Sequence, residues 1–316
     1  MDTRYSQIKE VANRYIYKYI KENDSSLLGY DFEEFFNHVI ETHNIKVMEH
    51  HFSSRKIEGL TLIDESGVSF SYERENPQVK QNFTKCHELG HFLLNHSSSF
   101  FTELKDESDS IFESEANLFS AFVLMPSIVL LSKIFYRHDS FSRVMKDLKV
   151  SAEALVYRLR DLFSHETTHS IDEVNHAIQE YKNGQFDRIV DMFGLLKSSI
   201  IEEYKQVMID MLAKTYHLLT RDSYLSDRQI YELKDKEFRQ ALEAEKSDIS
   251  CGQLFDYGKV IYFAWKKDRL TERQAVSNAK TQLLLERAWD VQRYKIKAKK
   301  GRVGNETKRG RTASWY

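Results

Sequence analysis

Between residues 45 and 74 the apolar pattern of this chain loses its helical period, and after residue 79 it regains it. The three runs inside that window, "IKVMEHHF" (45–52), "GLTLIDE" (59–65) and "VSFSYER" (68–74), are short and β-rich. A Glu-Ser-Gly turn joins the last two, so they predict a small antiparallel sheet. Ahead of them, residues 5–22 carry Ile8, Val11, Tyr15 and Tyr19 at helical spacing, and "DFEEFFNHVIET" (31–42) predicts a second helix capped by Asp31. Behind them, a helix from about Val79 to Asn95 would bury Phe83, Cys86, Leu89, Leu93 and Leu94. Another, from about Ser108 to Leu124, stops at Met-Pro. Residues 1–126 therefore read as a compact α+β unit.

The chain has two prolines, Pro77 and Pro126, and none in the 190 residues that follow, which suits a long helical C-terminal half. Residues 140–163 predict two short helices joined at Lys149-Val150-Ser151, with Ser151 capping the second. This is a helix-turn-helix-like element, and a plain αα-hairpin fits as well. From Ile171 the helical period persists. "LSDRQ" and "LTERQ", 45 residues apart, predict capping boxes, Ser226 with Gln229 and Thr271 with Gln274. The expected organisation is an α+β domain over 1–126, a helix-turn-helix-like segment over 127–170, an all-α domain over 171–297 and a basic tail over 298–316.

From Arg293 onward nine Lys or Arg face one Glu, so the preceding 292 residues carry about −10 of the net −2. Weak nucleic-acid contact is an expectation for that tail, a solvated basic segment the plainer one. No apolar run reaches the roughly 18 residues of a membrane span, and the N-terminus lacks a signal-peptide core. Cys86 and Cys251, far apart, fit a reducing compartment. A cytoplasmic protein with no membrane partner is expected.

The pattern His-Glu-x-x-His occurs twice, in "CHELGHFLLNH" (86–96) and in "HETTH" (165–169). On a helix it sets two imidazoles on one face, and the glutamate after the first histidine can reach a metal-activated water. A catalytic zinc needs a third protein ligand. "FTKCHELGHFLL" has an apolar side to hold it, Gly90 to admit a neighbouring segment, and a downstream amphipathic helix bearing Glu113 and Glu115. The second copy has two threonines, falls between helical segments, and has no such helix after it. Residues 87–91 are thus the expected metal site. Glu113 and Glu115 are rival third ligands about 200° apart on the helix. The apolar flanks Phe112 and Ala116 favour Glu113. His96, about 140° off the metal face, reads as structural, and neither His50 nor His51 is expected at the site.

"FTKCHELGHFLLNH" followed by "ESEANLFSAFVLMP" resembles the ImmA/IrrE family of zinc metallopeptidases over about residues 80–126. The resemblance implies a zincin-like N-terminal domain with zinc held by His87, His91 and Glu113, and Glu88 as general base. It implies too that Asn117 bonds a ligand imidazole, and that the substrate is a helix-turn-helix transcriptional repressor cut at one site. Family members commonly carry a small residue where Cys86 stands; a buried, inert thiol is expected there. The competing reading is a regulator that binds a partner or DNA without cutting, against which Glu88 argues. A zinc hydrolase with a non-peptide substrate also fits the motif.

Overall fold

A computed structural model describes residues 3–52, 57–65, 67–96, 100–104, 110–256 and 258–289, with the backbone alone for 100–104. The expected basic tail lies outside the described residues. The chain divides into two compact units, residues 1–209 and 210–316.

In the first unit the amphipathic stretches become helices α1 (Thr3–Glu22) and α2 (Phe32–His43), and the Asp31 side chain caps α2 by accepting from Glu33 N. Strands β1 (Lys46–His50), β2 (Ile57–Asp64) and β3 (Gly67–Glu73) follow, then α3 (Gln78–Leu93), β4 (Phe100–Leu104) and α4 (Ile111–Leu124). The sheet has the order β1-β3-β2-β4. This corrects the expected three antiparallel strands: β1 pairs parallel to β3, and β4 joins antiparallel to β2 as a fourth. The β2–β3 hairpin needs Gly67, whose φ of +116° suits only glycine.

Beyond Pro126, α5 (Ser127–Leu130) runs into a π-helical turn, Leu131–Tyr136, and then come α6 (Phe141–Asp147), α7 (Ala152–Glu166), α8 (Ile171–Lys182) and α9 (Asp187–Gln206). Ser151 caps α7 as expected, accepting from Ala154 N at 3.1 Å. Residues 111–136 are long and apolar enough to cross a membrane by composition, yet 78 % of their most apolar portion is buried inside the protein. One hydrophobic core runs from Tyr5 through Phe122, Leu131 and Leu159 to Ile200. The helices on either side of residues 126 and 170 therefore share a unit, which differs from the expected boundaries.

The second unit corrects the all-α expectation. It holds α10 (Met211–Asp222), α11 (Lys236–Glu245) and a helix over 272–289, but also β5 (Tyr224–Ser226), β6 (Ile249–Asp256) and β7 (Lys259–Lys266). These strands form an antiparallel sheet in the order β5-β7-β6. Gln229 does close on Ser226, its side-chain oxygen accepting from Ser226 N at 2.8 Å, but at the end of a strand. Thr271 and Gln274 form the expected box ahead of the final helix.

Candidate metal centre

Helix α3 carries its motif into the interior: His87, Glu88 and His91 are all at most 1 % exposed. It can do so because α4 comes very close at Gly90. A methyl group there would lie 3.2 Å from Ala116 Cα and 3.3 Å from both Ala116 O and Phe119 Cδ1. Only glycine leaves that room, and the close crossing brings the first turn of α4 over the two imidazoles.

There Glu113 completes a group of three. His87 Nε2 and His91 Nε2 are 3.0 Å apart, and the Glu113 oxygens lie 3.0 Å from the first and 3.3 Å from the second. Ligands about 2.0–2.1 Å from a tetrahedral zinc would stand roughly 3.3 Å from one another, so the donor set fits such an ion with one position left open. His87, His91 and Glu113 form a group that could hold a metal ion. Burial pushes the Glu113 carboxyl up, but its hydrogen bonds with His87 and His91 outweigh this and hold it down to about 2. Burial, and then the neighbouring His87, keep His91 below the usual histidine range.

Both imidazoles are held from behind. Asn117 Oδ1 lies 2.9 Å from His87 Nδ1, placed to accept its proton and leave Nε2 as the donor atom. His91 Nδ1 lies 2.9 Å from His96 Nδ1, and His96 Nε2 lies 3.1 Å from Glu115 Oε2. Arg4 pairs with that carboxylate at 3.6 Å. Glu115 thus supports His96 and stays out of the donor set. His96 reaches His91 because α3 ends in a reversal: Asn95 takes φ +54°, and His96 N bonds back to His91 O at 3.2 Å. Glu88 has a partner of its own in Thr61 of β2, whose hydroxyl donates to Oε2 at 2.5 Å. Neither Thr61 nor the His96–Glu115 pair was anticipated; the sequence sign of the latter is the asparagine just after the apolar end of the helix.

Comparison with known families supplies the context. Residues 40–160 match the family model Peptidase_M78, the IrrE N-terminal-like domain. No curated protein matches the chain. The matched segment takes in α3 and α4, α6 and the first part of α7, while α1, which supplies Arg4, precedes it.

The other sequence candidates fall outside this centre. The second His-Glu-x-x-His copy does not sit on one helix, because α7 ends at Glu166 and Thr167 is extended. His165 stacks on Tyr5 with ring centroids 4.1 Å apart, while His169 lies 3.7 Å from Glu173. His51 groups with Glu73 and Glu75 near the ends of β1 and β3, where Glu73 accepts from Phe52 N and Glu75 N. Lys85 turns onto the Tyr72 ring at 4.5 Å. Cys86 is fully buried, and burial pushes its thiol well above the ordinary range. Cys251 on β6 is partly buried and pushed up to about 12, again chiefly by burial.

Proposed function

We propose that the chain is a cytoplasmic zinc-dependent endopeptidase that cuts a helix-turn-helix transcriptional repressor at one site. The observation that carries the peptidase reading is the convergence of His87, His91 and Glu113 within bonding reach of one ion, with Glu88 on the same helix. The repressor as substrate rests on the ImmA/IrrE resemblance. A zinc ion in that group would supply Lewis acidity to the scissile carbonyl and the attacking water. Glu88 takes the proton from that water as oxygen bonds to the carbonyl carbon, and hands it to the leaving amine as the C–N bond breaks. Thr61 fixes one carboxylate oxygen of Glu88 for this work. Asn117 and His96 keep the two imidazoles turned with Nε2 inward.

A protein substrate also suits the helix pair better than DNA. Two of its cations are engaged: Lys149 pairs with Asp31 at 2.7 Å and Glu33 at 3.0 Å, and Arg143 with Asp139 at 3.4 Å. Helix α7 also carries the carboxylates Glu153 and Asp161, which phosphates would avoid.

Elemental analysis of the purified chain beside His87→Ala and His165→Ala tests the site. The expected result is about one zinc per chain, lost with His87→Ala and kept with His165→Ala. Glu88→Gln should hold zinc yet leave a repressor uncut. Zinc retained by His87→Ala but lost from His165→Ala, or a Glu88→Gln chain with full biological effect, would overturn the reading.

A further inference from the structure

A cavity of about 540 Å³ adjoins the metal centre, walled by α1, α3, α4 and α7. Asn117, which holds His87, and Ser114, the neighbour of Glu113, line it together with Phe83, one turn before His87. The opposite wall is α7, with Glu153, Tyr157 and Asp161.

The charges of this cavity are unequally satisfied. Arg4 pairs with Glu115. Arg158 donates from Nε to Met125 O at 3.1 Å and from Nη2 to Ser127 Oγ at 2.8 Å, and its guanidinium lies 4.4 Å from the Phe122 ring. Its Nη1 has no hydrogen-bond partner among the described residues but is sealed from solvent, out of reach of an incoming anion. The two carboxylates differ: Glu153 and Asp161 make no hydrogen bond or ion pair with any described residue. Burial pushes the Asp161 carboxyl above its ordinary range despite the fields of Arg158, His165 and Arg160, as expected of an acid without a direct counter-ion. Phe83, Leu118 and Tyr157 provide apolar wall for a methylene stem.

We propose that this cavity is the subsite for a basic side chain, Lys or Arg, of the cleaved protein, with Asp161 as its counter-charge and Glu153 beside it on α7. The proposal rests on the peptidase reading and adds to it which residues of a target flank the cut bond. It also accounts for α7, since the second helix of the helix-turn-helix-like pair then reads substrate beside the metal.

The test uses the zinc-loaded full chain and a mixed-sequence peptide library, with cut sites read by mass spectrometry. Arg, norleucine and Glu versions of the best peptide are then compared in wild type and Asp161→Asn. Arg or Lys should be enriched at one position beside the cut. The Arg peptide should gain about tenfold in kcat/KM over norleucine, mostly through KM. Asp161→Asn should abolish that gain at unchanged zinc content, and Asp161→Glu should keep part of it. Cutting without basic preference, or a gain that survives in Asp161→Asn, overturns the subsite and leaves the peptidase reading standing. If no peptide is cut, the peptidase reading fails. Anisotropy titration of the labelled Arg and norleucine peptides against Glu88→Gln then decides the subsite by itself: tighter Arg binding supports it, equal affinity sinks it.

Discussion

Thr61 and His96 each touch a residue of the proposed machinery, Thr61 holding the Glu88 carboxylate and His96 the His91 imidazole. Removing the Thr61 hydroxyl should therefore slow the reaction without loosening the metal. For Thr61→Val we expect kcat to fall about tenfold, a fraction of what general-base catalysis contributes, with KM and zinc content unchanged. His96→Ala should do the converse, weakening zinc affinity about ten- to hundredfold, as read by competition with a chromophoric chelator. An affinity equal to wild type would mean that His91 keeps its orientation unaided. The two residues also mark how far the sequence could be read. His87, Glu88 and His91 are legible because their spacing is a property of a single helix, and Glu113 because apolar neighbours flank it. Thr61 stands on a strand 27 residues before its partner, and no local pattern connects them. His96 was placed by helical-wheel arithmetic continued past the end of the helix, where Asn95 had already turned the chain back.

At the level of elements, the α3–α4 crossing is set by one missing side chain. Gly90→Ala gains helix propensity but presses a methyl against the Ala116 backbone, which cannot yield as a flexible side chain would. A net loss of about 1 kcal/mol in urea unfolding is expected, with weaker zinc binding as Glu113 is pushed away. A second link is the buried Lys133 of the π-helical turn, which donates to Leu28 O and to Asp147 of α6, both at 2.8 Å. Burial raises the Asp147 carboxyl, but Lys133, Arg143 and Arg137 outweigh it and leave it below its ordinary value. Its stabilising effect is then complete above the unfolded value of about 4 and is lost as pH falls through the lower folded value. Asp147→Asn should cost about 2 kcal/mol at pH 7, and the gap from wild type should narrow as pH falls below about 4; a constant gap would exclude the charge as its source. Elements were legible where one periodicity ran long, as in α1 and α3. The sheet of the second unit was not: the lack of proline permits helix without requiring it. "KVIYFAWK", eight β-branched and aromatic-rich residues after a glycine at φ +76°, held the contrary signal.

Over the whole molecule, the candidate metal centre and its cavity draw, among the described residues, only on the first unit, whose core is its own. A chain ending at Ile209 should therefore fold cooperatively and bind about one zinc. Zinc at a hundred times its Kd should raise the stability of that chain by about 2.7 kcal/mol, visible as a shift in its thermal midpoint. Failure of the shortened chain to fold would show that the second unit takes part in the stability of the first. The state of the two cysteines has a practical use here. With Cys86 sealed in the core and the partly buried Cys251 pushed up by burial, both thiols should react slowly with maleimides at neutral pH. A single cysteine introduced at an exposed position such as Leu195 could carry a fluorophore without removing either native thiol, so folding and peptide capture could be followed on otherwise unaltered protein.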